Sequence, residues 1–144
     1  MENKKSLLFN YLYKRAHKGN CVWKFFYLFY TQLVLGCDIK YSTQIGEGFV
    51  IYHSAHGSVV SPNAVIGRNV SLRQNTTIGA KGFNDADRSP VIMDNVVIGP
   101  NVCIIGDIII GEGSIIGAGA VVVKNVPPYS IVVGNPGRII RRIK

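Results

Sequence analysis

The sequence has few of the residues that build disulfide frameworks or metal centres. Its 144 residues include only three cysteines, Cys21, Cys37 and Cys103, which are widely spaced and form no CxxC pair. An odd number without a spacing pattern excludes a disulfide-stapled secreted fold and argues against a structural zinc site. We therefore expect reduced, mostly buried thiols in a cytoplasmic protein.

Long apolar runs and targeting signals are also missing. The chain starts with MENKK, and no small-residue cleavage site of a secretory signal peptide follows. The apolar segment 22–35 has 14 residues, whereas a membrane-spanning helix needs about 20. This segment is therefore expected to lie on another surface rather than to cross a bilayer.

Acidic residues are scarce at both ends of the chain, which carries a net charge of +8. Residues 1–36 hold six Lys or Arg and one acid, residues 39–123 hold five basic and six acidic residues, and residues 124–144 hold five basic residues and no acid. No nucleic-acid recognition motif and no basic helix with base-stacking aromatics is present, so we predict no nucleic-acid partner. The charge instead favours a phosphorylated small molecule or an anionic membrane surface.

The strongest positive feature is an aliphatic residue at every sixth position. A period of six matches neither the 3.6 of a helix nor the two-residue alternation of a strand. It is typical of a parallel β-helix, in which each short strand points one aliphatic side chain inward. An antiparallel sandwich would need polar–apolar alternation and hairpin turns instead. The sequence therefore predicts an all-β main domain of a little over four coils. The repeated residues are Ile39, Ile45, Ile51, Val60, Ile66, Leu72, Ile78, Ile92, Ile98, Ile104, Ile110, Ile116 and Val122.

Two interruptions of the repeat add residues that cannot stack in the coils. The step from Ile51 to Val60 is nine residues, and the step from Ile78 to Ile92 is fourteen. Extra residues must project as loops, where binding and catalytic groups concentrate. We expect the functional site at these two loops.

The first 36 residues have a helical pattern. Two helices are predicted at about 5–17 and 21–35, with a Lys-Gly-Asn break between them. One interpretation is that aromatic residues of the second helix cap the open end of the β-helix, as solenoids require. The other is that residues 1–36 form a basic aromatic platform for peripheral membrane contact. We divide the chain into a helical N-terminal cap, 1–36, and a β-helix domain with a C-terminal tail, 37–144. The proposed capping residues are Trp23, Phe26, Tyr27 and Tyr30.

Residues 37–140 resemble the serine acetyltransferase branch of the hexapeptide-repeat acyltransferases. The resemblance is carried by CDIKYSTQIGEGFVIYH, AVIGRNVSLRQNTTIG, a loop that ends in DRSP, and the tail IIGAGAVVVKNVPPYSIVVGNPGRII. It implies a left-handed parallel β-helix, an acetyl-CoA-dependent acyltransferase activity and a homotrimer with active sites between subunits.

The resemblance implies a catalytic role for His53 and Asp38. In the family, a histidine after the third repeat position is the general base, and an aspartate fifteen residues upstream orients it; these two residues match that spacing. A hydroxyl that attacks a thioester must lose a proton, which a neutral imidazole accepts near pH 7. A carboxylate on the other ring nitrogen fixes the tautomer. The loop at Gly57 is expected to donate to the oxyanion.

The acceptor residues depart from the serine-specific pattern. Serine-specific members have an aspartate before the catalytic histidine and a histidine after the loop arginine; this chain has Tyr52 and Ser89 there, although Arg88 matches. The helical region is also shorter than theirs. We therefore predict a sugar or surface-polysaccharide hydroxyl as acceptor, bound by Tyr52, His56 and Arg88, with L-serine as the alternative. A plain surface-loop position is the competing interpretation for His56.

The tail motif implies the coenzyme A site. By the resemblance, main-chain groups of the GAGA turn bind the pantetheine arm, and two cations meet the nucleotide phosphates through charge-assisted bonds. The residues assigned to acetyl-CoA are Gly117, Ala118, Gly119, Ala120, Lys124 and Arg138.

Two other classes stay open. The same fold carries a zinc carbonic anhydrase, but that chemistry needs three converging histidines. The chain has only His17, His53 and His56, and His17 falls in the helical segment, so we predict no metal site. A non-catalytic β-helix scaffold would keep the fold without the site, yet the catalytic pair and the two cofactor-binding cations occur together.

Overall fold

The computed structural model describes residues 4–82 and 89–143, in which two helices precede a coiled succession of short strands. Helix α1 is Lys4–Lys18 and helix α2 is Cys21–Phe29, continued by a π-helical turn, Tyr30–Leu35. The strands are β1 Asp38–Ile39, β2 Gln44–Ile45, β3 Val50–Ile51, β4 Val59–Val60, β5 Val65–Ile66, β6 Ser71–Leu72, β7 Thr77–Gly79, β8 Val91–Ile92, β9 Val97–Ile98, β10 Cys103–Ile105, β11 Ile109–Ile110, β12 Ile115–Ile116, β13 Val121–Val122, β14 Ser130–Val133 and β15 Arg138–Arg142.

The strands form the three faces of a left-handed parallel β-helix, as predicted. The sheet orders are β1-β4-β7-β10-β13, β2-β5-β8-β11 and β3-β6-β9-β12-β14, so each coil adds one strand to each face. Strand β15 pairs antiparallel with β14 and ends the third sheet. The main-chain N–H and C=O groups of each coil form hydrogen bonds with the next coil. A strand of two residues could not pair these groups by itself.

The core consists of three columns of aliphatic side chains. In the first column, Ile39, Val60, Ile78, Ile104 and Val122 are in register. All predicted repeat residues occupy such positions, and all are buried except Ile45, which is half-buried. Val126 and Val132 extend the other two columns, so the β-helix enters a fifth coil. Burial of each such side chain contributes roughly 1.5–3 kcal/mol.

Helix α1 closes the open end of the first coil with polar side chains. The main chain of the first coil has no preceding coil to pair with, and an exposed edge of this kind invites association with another chain. Side chains at positions 6, 10, 13 and 17 lie on one helix face and bond to that edge. The contacts are Ser6 with Ile51, Asn10 with Phe49, Tyr13 with Thr43 and Ile45, and His17 with Tyr41.

Helix α2 caps the same end with only some of the predicted aromatic residues. Tyr27 and Tyr30 are buried, and the Tyr27 hydroxyl donates to the carbonyl of Ile39 at 2.8 Å. Trp23 is half-buried, whereas Phe26 is 51% exposed and caps nothing. The capping interpretation therefore holds for the two tyrosines, and one continuous core joins the helices to the β-helix.

The outer face of α2 and the π-helical turn carries an exposed apolar stripe at helical spacing. Phe25 is 64% and Leu33 is 74% exposed. Residues 4–36 contain six Lys or Arg and no acidic residue. In the parts of the chain that the structure describes, no helix is both long and apolar enough to span a bilayer. The stripe consists of Val22, Phe25, Phe26, Phe29 and Leu33.

Candidate active site

The nine-residue step in the repeat forms a left-handed turn that carries His53. His53, Ser54 and Ala55 have φ angles of 49°, 63° and 49°. Non-glycine residues avoid this region, and each residue held there costs on the order of 1–3 kcal/mol. Elsewhere in the described ranges, positive φ at non-glycine residues occurs only singly. Three consecutive residues in this conformation must be held by their surroundings.

Hydrogen bonds hold the turn from two sides. The amide of Gly57 donates to the carbonyl of Gly36 at 2.8 Å, where the chain enters the first coil. The carbonyl of His56 accepts from the amide of Asn75 at 2.7 Å, at the corresponding corner of the second coil. Ala55 is fully buried. The turn is therefore fixed between the helical cap and the second coil, which sets the position of His53.

Asp38 lies one coil below the strand that follows the turn, as the spacing predicts. It begins β1 and pairs with Val59 of β4. Its carboxylate oxygen Oδ1 is 2.8 Å from the Lys40 Nζ. This contact is an ion pair, and the buried oxygen accepts no hydrogen bond from the residues that the structure describes. The structure does not bring Asp38 and His53 into hydrogen-bond contact, so the catalytic pair stays a prediction.

The other two residues of the turn region that were predicted to bind the acceptor are exposed. The ring of Tyr52 is accessible, and the guanidinium carbon of Arg73 lies 5.2 Å from its centre. His56 Nδ1 is 3.3 Å from the carbonyl of Leu35. A β-carbon at Gly36 would overlap the His56 ring. His56 therefore packs on the junction between the cap and the first coil, and its role with the acceptor stays a prediction.

The long loop is the segment between Ile78 and Ile92, and Ser89 is the residue of it that the structure describes beside the predicted site. Ser89, which replaces the family's histidine, is half-buried, and its hydroxyl lies 2.8 Å from that of Ser61. This contact directs the Ser89 hydroxyl to the protein rather than to a ligand. Arg88 lies outside the described residues.

Two cations that sequence reasoning missed contact the chain neighbours of His53. Arg73 covers Tyr52, and the Lys5 ammonium donates to the Ser54 hydroxyl at 2.6 Å. The register of the repeat could have identified Arg73, because it follows Leu72 as Tyr52 follows Ile51 and these aliphatic residues stack. No sequence signal could have identified Lys5, since its position depends on how α1 docks.

The cysteines offer no nucleophile at this site. Burial raises the pKa of the Cys37 thiol to about 12, and the neighbouring Asp38 carboxylate adds to the rise. The thiol therefore stays protonated at neutral pH, and an unionised thiol is a weak nucleophile. In residues 4–82 and 89–143, no group of three His, Cys, Asp or Glu side chains converges as metal ligands.

The predicted cofactor cations lie together at the far end of the β-helix. Lys124 follows β13, and Arg138 begins β15, yet both line one groove of about 660 Å³. Its walls include Val122, Val132 and Pro136. A basic groove with apolar walls suits a nucleotide that carries phosphates.

The GAGA turn joins β12 to β13 and exposes main chain rather than side chains. Ala118 and Gly119 are exposed, and Gly119 has a φ of 70° at a place where a β-carbon would point into open space. Ala120 is fully buried, and its amide donates to the carbonyl of Gly117 at 3.2 Å. The Ala120 side chain therefore belongs to the core, and the amides of Gly117, Gly119 and Ala120 already donate to carbonyls of the chain, so these three amides are not open to a pantetheine arm.

Comparisons with known proteins agree with this architecture. Residues 89–124 match the model described as bacterial transferase hexapeptide (six repeats). Serine acetyltransferase 2 of Arabidopsis thaliana is 42% identical over 108 residues, which are 75% of this chain and 33% of the relative. The serine acetyltransferase of Escherichia coli K12 is 43% identical over 103 residues, 72% of this chain and 37% of the relative.

Solved structures are similar over nearly the whole chain. The serine acetyltransferase of Neisseria gonorrhoeae superposes with a TM-score of 0.82 at 35% identity, covering 96% of this chain and 55% of that one. The soybean enzyme in complex with serine gives 0.81 at 38% identity, covering 96% and 58%. The chain thus spans about a third of the two curated relatives and somewhat over half of the two solved chains.

The resemblance found in the sequence is confirmed at the level of the family. All four named proteins are serine acetyltransferases, and none is a sugar or polysaccharide acetyltransferase. Residues 89–124 therefore carry the hexapeptide repeat of the bacterial transferases, and the chain as a whole is similar in fold to the serine acetyltransferases.

Proposed function

We propose that this chain transfers the acetyl group of acetyl-CoA to the hydroxyl group of L-serine, with His53 as general base. One observation carries the proposal: identity of 40% or more to serine acetyltransferases extends over 103 to 108 residues, about three quarters of this chain. L-serine thereby replaces the sugar as the leading acceptor, because the named relatives support serine.

The reaction needs little beyond a positioned base. The His53 imidazole accepts the hydroxyl proton as the serine oxygen attacks the thioester carbonyl. The loop at Gly57 was expected to donate to the tetrahedral oxyanion, but the amides of His56, Gly57 and Ser58 already donate to carbonyls of the chain, so they do not supply this group. The imidazolium then returns the proton to the leaving coenzyme A sulfur. Asp38 would orient the imidazole by accepting a hydrogen bond from the other ring nitrogen.

The test is product formation by the purified chain. Acetyl-CoA and L-serine are supplied, released thiol is measured, and O-acetylserine is identified by mass spectrometry. His53→Asn serves as the matched inactive variant. If neither product nor excess thiol forms, or if the variant forms as much as wild type, the proposal is wrong.

A sugar hydroxyl is the second candidate acceptor, favoured by two observations at the site. Tyr52 presents an exposed ring beside His53, and the Ser89 hydroxyl is directed to Ser61. An ammonium group needs a carboxylate partner, whereas a neutral sugar needs only hydrogen bonds and an apolar face. Parallel assays with nucleotide sugars and glycan fragments distinguish the two: turnover of a sugar without turnover of serine would favour this candidate.

We further propose that the chain assembles as a homotrimer. The flat faces of the β-helix suit side-by-side packing, and the family resemblance implies active sites between neighbouring subunits. Light scattering coupled to gel filtration should give three times the 15.8 kDa of one chain. A monomeric mass with full activity would refute the assembly and leave the acetyl transfer intact.

We also propose that the protein is cytoplasmic and makes peripheral membrane contact through the apolar stripe on α2. An apolar helix face near basic residues binds anionic bilayers. The chain should sediment with phosphatidylserine vesicles and less with phosphatidylcholine vesicles. Phe25→Gln with Leu33→Gln should abolish this, since both residues are strongly exposed. Equal sedimentation of wild type and variant would exclude the contact.

A further inference from the structure

Arg73 lies on the outer surface of the second coil, directly above the residue that precedes His53. Ile51 and Leu72 are paired in register, so Tyr52 and Arg73 follow them on the same face. The guanidinium carbon is 5.2 Å from the centre of the Tyr52 ring. A guanidinium stacked on a ring keeps its N–H groups available at its edges, where they match a carboxylate or phosphate.

A second cation contacts the residue that follows His53. Lys5 reaches from α1 to the Ser54 hydroxyl, 49 residues away in the chain. Both chain neighbours of His53 are thus touched by a positive side chain. This arrangement joins the cap, the first coil and the second coil around one turn.

Neither cation is neutralised within the described part of the chain. The ion pairs there are Lys14 with Glu47, Lys40 with Asp38, and Arg68 with Asp94. Arg73 and Lys5 belong to none of them. The surface around His53 therefore carries positive charge that no carboxylate of residues 4–82 or 89–143 balances, and such a surface attracts an anionic ligand.

We propose that Arg73 is an acceptor-binding residue and that the acceptor carries a negatively charged group besides its hydroxyl. The inference rests on acetyl transfer at His53 and adds a substrate class to it. The shared chemistry is a carboxylate or phosphate held against the Arg73 edge while the hydroxyl faces His53. L-serine supplies such a carboxylate, and an acidic or phosphorylated sugar supplies the same chemistry from another source.

Coenzyme A is a less suitable source of the anion. Its predicted cations line the groove beside β14, three strands from β6 in the same sheet. Neighbouring strands lie about 4.8 Å apart, so Arg73 is displaced from that groove by about 14 Å along the β-helix. Loss of Arg73 should therefore weaken the acceptor and not the donor.

The first experiment compares Arg73→Gln, Arg73→Lys and the control Arg141→Gln, which removes an exposed arginine from β15. With L-serine or glucose 1-phosphate, whichever wild type acetylates, Arg73→Gln should lower acceptor kcat/KM by about 10- to 100-fold, the range of one charge-assisted bond. The KM for acetyl-CoA should not change. Arg73→Lys should recover part of the loss, and the control should match wild type.

Acceptor analogues that lack the anionic group identify the group that Arg73 recognises. L-serinamide and glucose keep the hydroxyl groups and lack the anion, so Arg73→Gln should turn them over as poorly as wild type does. If Arg73→Gln instead raises the KM for acetyl-CoA, or lowers the kcat/KM of acceptors with and without the anionic group equally, the inference is wrong while the proposed function stands.

Histidine NMR tests the inference without turnover. The chain has only three histidines, so the His53 resonance can be assigned from the His53→Asn spectrum. L-serine or glucose 1-phosphate should shift that resonance in wild type and not in Arg73→Gln, whose unliganded spectrum should be native. If neither compound shifts it, or if both proteins respond alike, Arg73 does not bind the acceptor, whatever the fate of the proposed function.

Discussion

Asp38 of β1 and Lys40, which follows the strand, form an ion pair with 2.8 Å between the carboxylate oxygen and the ammonium nitrogen. The two residues flank Ile39, whose side chain points into the core, so they share the outer face of the strand. The carboxylate that was expected to orient His53 is thus paired through Oδ1 with a lysine two residues further along the chain.

This ion pair predicts that substitutions of its two partners have different effects on kcat. Asp38→Asn should lower kcat by at least about tenfold, because the amide cannot stabilise the imidazolium. Lys40→Gln frees the carboxylate and should retain kcat. Steady-state rates with saturating acetyl-CoA measure both. If Lys40→Gln is as impaired as Asp38→Asn, the ion pair itself is needed and the orienting role is wrong.

His53→Asn should lower kcat by roughly 10²- to 10⁴-fold, the range expected for loss of a general base. Asparagine tolerates positive φ better than alanine, so the substitution keeps the backbone preference at the 49° turn. Thermal stabilisation by acetyl-CoA should persist in the variant, which shows that donor binding is intact. Unchanged turnover would end the assignment of His53.

Lys124→Gln and Arg138→Gln should each raise the KM for acetyl-CoA by about tenfold or more, because each removes a charged partner for phosphate. Both residues line one groove. The KM for the acceptor should stay constant, and Arg142→Gln in the exposed end of β15 is the control. An unchanged KM for acetyl-CoA in both variants would place the cofactor elsewhere.

Tyr13→Phe should destabilise the chain by about 1–3 kcal/mol, since it leaves buried main-chain groups unpaired. The Tyr13 hydroxyl donates to the carbonyl of Thr43 at 2.7 Å and accepts from the amide of Ile45 at 3.0 Å. Tyr11→Phe changes an exposed tyrosine of the same helix and should have little effect. Urea unfolding gives both values, and equal midpoints would show that α1 does not stabilise the first coil in this way.

The sequence was sufficient to predict the β-helix and the two places where its repeat is interrupted. Every coil pairs with the next at a nearly constant separation, and each strand must place one aliphatic residue inward. The spacing of Ile51, Val60, Ile78 and Ile92 therefore revealed both the stacking and the two extra segments. The two helices of the cap were predicted from the Lys-Gly-Asn break between them and from Gly36 as the end of the second one. Gly36 has a φ of 67° in the structure.

The chemistry around His53 depended on tertiary structure. The sequence could nominate His53 and Asp38 by spacing and family resemblance, but it could not show that Lys40 holds the carboxylate or that Ser61 holds Ser89. Such pairings depend on side-chain rotamers and local competition for partners, which the repeat does not encode.

The repeat period, the interruptions and the charge of each region were determined by the sequence alone, because they depend only on the order of residues. The left-handed turn at 53–55, the Arg73–Tyr52 stack and the contact of Lys5 with Ser54 were decided by the tertiary structure. Lys5 lies in α1, outside the six-residue repeat, so the repeat does not predict its contact with Ser54. Only the docking of α1 across the open first coil brings that cation to the turn.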